Sequence, residues 1–112
     1  MSPEDRVRVR HMIEACETAL DFVARRRRSD LETDQMLVFA LVRAIEIIGE
    51  AASRVSEATR LETAEIPWSL ATAMRNRLIH EYFDVDREVV WRTATQELPS
   101  LLPKLRVLIA ED

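Results

Sequence analysis

Glycine is almost absent from this sequence, with Gly49 the single example among 112 residues. Hairpin-rich β proteins use glycine repeatedly at turn positions with positive φ, so its scarcity argues against that class. Alanine, leucine, arginine and glutamate, which favour helices, are abundant along the whole chain. The composition therefore predicts a helical protein.

Cysteine, histidine and long hydrophobic runs are equally scarce. Cys16 has no second cysteine to pair with, and two histidines leave no Cys/His cluster with zinc spacing, so we expect neither a metal centre nor a cofactor. The longest uncharged stretch, residues 66–74, falls far short of the ~20 residues that span a bilayer. The start of the chain does not look like a signal peptide. We expect one cytoplasmic domain over residues 1–112, with no membrane association.

Lysine is nearly missing, because 15 of the 16 basic residues are arginine. A net charge of −4 argues against tight non-specific binding to nucleic acid. A local phosphate site nevertheless remains a hypothesis, because the guanidinium group of arginine can bind two phosphate oxygens at once. We interpret the arginine run at residues 25–28 as a solvated helix end, with a basic edge for RNA as the alternative.

Apolar residues recur with helical spacing. The first helix should begin after Ser2 and end near residues 25–28. The second should begin between residues 30 and 34, either at the S-x-x-E capping box that starts with Ser29 or at Asp34. Its apolar residues cover several faces, which indicates contacts with several neighbours or with a second subunit.

The second half of the chain predicts a loop, then two further helices. Residues 56–65 are polar and should form the loop; a third helix should run over residues 68–83, and Asp86 should cap the fourth. Pro99 should kink or split the last helix. The predicted fold is all-α, an antiparallel bundle of four to five helices.

One polar cluster stands out in the third predicted helix, where Arg75, Asn76, His80 and Tyr82 follow one another. On an ideal helix Tyr82 lies within ~20° of Arg75, whereas His80 lies ~140° from it. Arg75 and His80 would then meet only through the reach of the arginine, a frayed helix end, or the pairing of two copies.

This set of side chains suits cleavage of RNA without a metal. Imidazole, with an ordinary pKa of ~6.5, can take the proton of a 2′-hydroxyl, and Arg75 can neutralise the charge growing on the phosphate. Asn76 can orient the phosphate or the histidine. The R-x4-H spacing alone is weak evidence, since it recurs at Arg6 and His11, where we interpret it as accidental. A structural role for His80 therefore stays open.

Two segments resemble a known family. The string R-N-x-L-I-H-x-Y at residues 75–82, followed by Phe-Asp-Val-Asp, is similar to the signature of the HepT-like proteins of the HEPN superfamily. Residues 44–52, which include Gly49, resemble the second helix of the same family. The similarity extends over nearly the whole chain.

The resemblance implies an all-helical homodimer that acts as a ribonuclease toxin. Arg75 and His80 would be the catalytic pair near the two-fold axis, with Asn76 in support. The implied partner is a minimal nucleotidyltransferase antitoxin, which in some members transfers AMP to the tyrosine that corresponds to Tyr82. Further candidates for binding substrate are Arg77 and Glu50, although a glutamate at such a position is typically an exposed helix carboxylate.

Other functions remain open from the sequence. A non-catalytic helical module that binds a nucleotidyltransferase or a nucleotide would share the fold, and the acidic isoelectric point of 5.3 favours it mildly. The arginines of residues 25–28, Arg75 and Arg77 are able to supply positive potential locally. A structural scaffold would use the second helix alone.

Overall fold

The computed structural model describes residues 1–81 and 84–112, and its description of side chains excludes residues 79–81 and 84. In chain order the elements are α1 (Pro3–Val23), α2 (Asp30–Thr33), α3 (Gln35–Ser53), α4 (Glu57–Glu62), α5 (Trp68–Ala73), a 3-10 turn (Met74–Arg77), β1 (Ile79–Glu81), β2 (Asp84–Val85), α6 (Arg87–Arg92), a π-helical segment (Thr93–Glu97) and α7 (Leu98–Glu111).

The two longest helices, α1 and α3, pack against each other over much of their length. Helix α7 lies against α1, and α5 lies against α3. The predicted all-α bundle is confirmed; in the described part of the chain the only strands are β1 and β2, which form one short antiparallel pair. Among the described residues, no helix has the length and apolar content to cross a membrane.

Side-chain caps start the main helices where the sequence indicates. The Ser2 hydroxyl accepts a hydrogen bond from the Asp5 N–H, and the Asp86 carboxylate accepts one from Val89. Of the two starts predicted for the second helix, Asp34 is the one used, since its carboxylate accepts the Leu37 N–H. Ser29 caps nothing with its side chain and precedes only the single turn of α2.

The polar segment before Pro67 was predicted to be a loop, and this prediction is wrong. It contains α4, whose N-cap is Ser56, with a hydroxyl that accepts the Thr59 N–H. Only Thr59 of this short helix is buried. A helix that buries one polar residue shows no apolar stripe, so hydrophobic periodicity does not reveal it.

The arginine run joins α1 to α2 and carries paired charges. Helix α1 ends at Val23, and Arg25 takes a positive φ of 66° that turns the chain. Arg26 pairs with Asp34 at 3.1 Å, and Arg28 pairs with both Glu32 and Glu88 at 2.8 Å. The run therefore serves largely as a connection, with two of its four charges compensated.

The core lies mainly between α1 and α3 and extends to α5 and α7. Cys16 belongs to it, and burial together with the nearby Glu17 raises the pKa of its thiol to about 12. The thiol is therefore a protonated core group. The largest fully buried side chains are Met12, Leu31, Leu41, Ile45, Ile48, Met74, Leu78, Leu98, Leu105, Val9, Val38 and Val90.

The last helix changes its winding just before Pro99, the residue at which the sequence predicts a kink or a split. Residues 93–97 are π-helical, and α7 begins at Leu98 with Pro99 in its first turn. A proline ring clashes with the carbonyl four residues earlier, and wider π winding relieves that clash. The Thr95 hydroxyl also donates to the Trp91 carbonyl, a contact that bends helices.

Asp5 is a buried carboxylate that ties α1 to the start of α4. It is 4% exposed and accepts hydrogen bonds from the Ser56 N–H at 2.9 Å, the Ser56 hydroxyl, and the Thr59 hydroxyl at 2.6 Å. Burial by itself raises the pKa of Asp5, but these hydrogen bonds outweigh it and hold the pKa below its usual value.

We predict that Asp5→Asn lowers the free energy of unfolding at pH 7 by about 2 kcal/mol, because the buried donors of Ser56 and Thr59 lose a charged acceptor. Since the folded pKa of Asp5 lies below the unfolded one, this contribution is present above about pH 4 and is lost as the pH falls. Urea unfolding at pH 7, 4 and 3 should therefore show a difference from wild type that shrinks in acid.

The matched control is Asp21→Asn on the exposed side of α1, which we expect to change stability by less than about 0.5 kcal/mol. Equal stability of both variants at pH 7 would contradict the role of Asp5.

Gly49 lies where α3 packs closely against the end of α5 and the turn that follows it. A Cβ built at this position would lie 3.4 Å from the carbonyl oxygens of Ala71 and Thr72, and 3.6 Å from the Cβ of Arg75. A methyl group just fits these distances, whereas a longer side chain has no space. Gly49 therefore sets how near the turn that carries Arg75 lies to α3.

We predict that Gly49→Ala changes the free energy of unfolding by no more than about 1 kcal/mol, because the tight fit is offset by better helix propensity. Gly49→Leu should cost about 1–3 kcal/mol, since it forces the two segments apart. Denaturant unfolding of both variants measures this. If the leucine variant is as stable as the alanine variant, the close approach does not constrain the fold.

Candidate functional site

The sequence motif at residues 75–82 spans a change of backbone structure. The third helix was predicted to continue through Phe83, but it ends at Ala73, and a 3-10 turn leads into β1, which includes His80. The Asp86 N–H donates to the Leu78 carbonyl at 2.6 Å, and β1 pairs with β2. These hydrogen bonds join residues up to eight positions apart and replace the helical ones, and helical periodicity does not predict them.

The angles between motif residues on an ideal helix therefore do not apply. Arg75 and Asn76 lie in the 3-10 turn, whereas His80 lies on a strand after the chain has left helical geometry. The 140° separation expected on a helix thus places no limit on how Arg75 and His80 are arranged.

The 3-10 turn is anchored to the core from both ends. Met74 and Leu78 are 2% and 0% exposed, and the Cβ of Arg75 lies beside Gly49 of α3. A turn fixed by two buried side chains and a close backbone contact loses little freedom when it binds a ligand. It is a rigid platform for the polar residues between its anchors.

Arg75 and Asn76 project from this platform into solvent. Both are exposed, and within the described residues neither side chain has a hydrogen-bond or ion-pair partner. An unpaired guanidinium can bind two oxygens of a phosphate with its parallel N–H groups. Arg75 is thus positioned to bind an anion such as a phosphate.

Arg77 is placed differently. Its two terminal nitrogens lie 3.2–3.3 Å from the carboxylate of Glu97, which belongs to the π-helical segment. The pair joins the turn to the last helical region and compensates the charge of Arg77. The structure thus separates Arg77 from its unpaired neighbours Arg75 and Asn76.

Glu50 also has an ion-pair partner, Arg54, the residue that follows α3, at 3.0 Å. It lines a cavity between α1 and α3 to which the described residues of the Arg75 turn do not contribute. The second R-x4-H pair, Arg6 and His11, does not form a site. Arg6 binds Asp112 at 2.7 Å, whereas His11 lines the groove between α1 and α3.

Two predicted site residues cannot be placed. Tyr82 lies outside the described residues, and so does the side chain of His80. Their contributions to a site remain predictions.

Glu97 contacts the motif through Arg77 and was not identified from the sequence. It follows Arg77 by twenty residues and belongs to a different element, so no short-range spacing connects the two. The sequence holds no signal for this contact, because the π-helical winding around Glu97 is visible only in the structure.

Comparison with known proteins assigns the family. The model of the family described as "Ribonuclease HepT-like" matches residues 12–108. The protein named "Probable ribonuclease HepT" from Thermococcus cleftensis is 39% identical over 95 residues, which cover 85% of this chain and 86% of that protein. A provisionally named RNase, TTE0752 of Caldanaerobacter subterraneus subsp. tengcongensis, is 32% identical over 102 residues and 91% of each chain.

No solved structure was found to match the chain. The family match nevertheless extends over most of the sequence and includes the 3-10 turn and β1, and both relatives are aligned over more than four-fifths of their length. The chain therefore belongs to the HepT-like ribonuclease family.

Proposed function

We propose that this protein is a metal-independent endoribonuclease and the toxin of a toxin–antitoxin pair. The observation that carries the proposal is the exposed Arg75, which has no ion-pair partner among the described residues and lies on an anchored turn five residues before His80, in a chain of the HepT-like ribonuclease family. Arginine supplies charge to a reacting phosphate, and histidine supplies a base near neutral pH.

In the proposed reaction, His80 takes the proton of a ribose 2′-hydroxyl. The resulting oxygen attacks the adjacent phosphorus, the bond to the 5′-oxygen breaks, and that oxygen takes up a proton as it leaves. Arg75 stabilises the negative charge on the phosphate oxygens. Because the nucleophile comes from the substrate, the products are a 2′,3′-cyclic phosphate and a 5′-hydroxyl, and no metal-bound water is required.

The neighbours of Arg75 have different roles in this proposal. Asn76, exposed and unpaired among the described residues, orients the scissile phosphate. Arg77 is a positioning residue, since its pairing with Glu97 holds the turn against the π-helical segment. Glu50, paired with Arg54 on the surface, stays a candidate for binding substrate rather than for the chemical step.

We further propose that the active form is a homodimer. Met36 and Phe39 on α3 are 83% and 58% exposed, which is unusual for large apolar side chains near one another. Pairing two copies through the first turns of α3 buries these two side chains.

We predict that Arg75→Ala and His80→Ala each lower the rate of RNA cleavage by about 10²–10⁴-fold, since each loses a charge stabiliser or a general base. The measurement is cleavage of a labelled oligoribonucleotide with EDTA present, with circular dichroism to confirm the helical fold. Asp21→Asn serves as a folded control with full activity. Wild-type cleavage by both alanine variants would remove the assignment, and strict dependence on magnesium would remove the 2′-hydroxyl mechanism.

Mixing the two inactive variants tests the dimer. If each site combines Arg75 of one copy with His80 of the other, a mixture in equal amounts should regain about a quarter of wild-type activity, because half of the dimers contain one intact site of two. Light scattering should show a dimer at micromolar concentration. A monomer that cleaves RNA would contradict the proposed assembly.

We propose a minimal nucleotidyltransferase as the antitoxin, acting on the hydroxyl of Tyr82. Transfer of AMP to that oxygen adds bulk and a negative charge two residues after His80. A substrate phosphate must approach the same place, so steric exclusion and charge repulsion both inhibit cleavage.

We predict that Tyr82→Phe keeps the fold and much of the ribonuclease activity but escapes silencing, because it removes only the hydroxyl. Intact mass after incubation with ATP and the nucleotidyltransferase should show additions of one AMP on the wild type and none on the variant. Equal labelling of both proteins would move the modification elsewhere, and labelling of neither would leave complex formation as the silencing mechanism.

A further inference from the structure

A second concentration of positive charge lies in the groove between α1 and α3, away from the Arg75 turn. A cavity of about 200 Å³ opens there, which we call the basic pocket. Four of its seven lining residues are arginine or histidine: two from α1, one from α3 and one from the residue that follows α3. The lining residues are Arg8, His11, Arg43, Ile47, Glu50, Ala51 and Arg54.

The charges of the basic pocket are largely uncompensated. Arg54 is paired with Glu50, but within the described part of the chain neither Arg8 nor Arg43 has an ion-pair or hydrogen-bond partner. This contrasts with Arg26, Arg28 and Arg77, which are all held by carboxylates. Three arginines against one glutamate give the pocket a formal charge of +2 in a chain of −4. Such a local excess attracts an anion.

The pocket continues into a second cavity of different character. This apolar groove of about 400 Å³ shares His11, Arg43 and Ile47 with the basic pocket and runs along α1 to Phe22. Much of its wall is formed by Ala15, Ala40 and Ala44, and Glu14 and Thr18 also line it. A ligand that fills both cavities needs a negative group beside a flat, largely apolar one, and this is the chemistry of a nucleotide.

The basic pocket and the Arg75 turn share helix α3. Glu50 lines the pocket, while the adjacent Gly49 contacts the turn from another side of the same helix. The two positions are thus separated by about one helix diameter, ~10 Å. One RNA strand that crosses α3 can reach both.

We propose that the basic pocket binds a backbone phosphate of single-stranded RNA, with a base of that strand in the apolar groove. This inference rests on the proposed ribonuclease function and adds a substrate-binding site outside the residues of the motif. Arg8 and Arg43 bind the phosphate oxygens, and the site holds the strand while Arg75 engages another phosphate. It explains how an acidic protein can bind a polyanion.

The test compares two double variants that remove the same charge. Arg8→Gln/Arg43→Gln alters the basic pocket, whereas Arg10→Gln/Arg92→Gln removes two exposed arginines that line neither cavity. The probe is a fluorescein-labelled 2′-O-methyl RNA dodecamer, which cannot be cleaved, and the measurement is fluorescence anisotropy over a range of salt. Cleavage of unmodified RNA and light scattering are measured on the same preparations.

We expect the pocket variant to weaken binding of the dodecamer by roughly ten-fold or more relative to the control variant. The slope of log Kd against log salt should fall by about 0.7, the contribution of one phosphate on a single strand. Arg8→Lys/Arg43→Lys, which keeps the charge but not the fork, should recover part of the affinity.

Three results would overturn the inference. Equal affinities of the pocket and control variants, with RNA cleavage intact in the wild type, would reject this site and leave the ribonuclease function standing. If the pocket variant no longer binds inorganic phosphate but binds the dodecamer normally, the basic pocket is a site for free anions and not for RNA. Loss of the dimer in the pocket variant alone would identify a carboxylate of a second copy as the occupant.

A wild-type protein that neither binds nor cleaves RNA would be a failure of the proposed function itself. That outcome differs from the three above, since it appears before any variant is compared.

Discussion

The candidate site depends on the close packing of α3 against the end of α5 and the turn that follows it. A Cβ at residue 49 would already contact the carbonyl oxygens of Ala71 and Thr72 at 3.4 Å, so this packing leaves no space for a side chain longer than that of alanine. Met74 and Leu78 are buried at the two ends of the turn and hold it against the core. The polar residues between them are exposed to solvent. A site that is already ordered loses less conformational entropy when it binds a ligand, so binding is stronger.

Ion pairing divides the arginines of this chain into two groups. One group, which includes Arg28, Arg54 and Arg77, connects separate elements or successive helical turns through carboxylates. The other includes Arg75 and Arg43, whose guanidinium groups have no partner among the described residues. Because formal net charge averages over both groups, it is a poor guide to binding here: a chain of −4 still presents local positive sites.

The hairpin in the motif shows where local signals stop being sufficient. Residues 68–83 have helical spacing and contain no glycine or proline after Pro67, so the sequence predicts one continuous helix. The observed chain leaves the helix because Asp86 and β2 provide other hydrogen-bond partners for Leu78 and β1. Those partners come from later in the chain. The sequence identifies Asp86 as a helix cap, but its backbone N–H has a second role as the donor to Leu78, which becomes visible only in the structure.

The sequence by itself determined the helical class, the helix starts at Ser2 and Asp86, the change in the last helix near Pro99 and the motif residues, and it limited the start of the second helix to Ser29 or Asp34. Each rests on interactions within about four residues, or on a composition that leaves few alternatives. The tertiary structure alone decided that Arg77 pairs with Glu97, that Glu50 belongs to another cavity, and that Arg8 and Arg43 share a pocket. These pairs are 20 to 35 residues apart, and only the packing of helices brings such distant positions together.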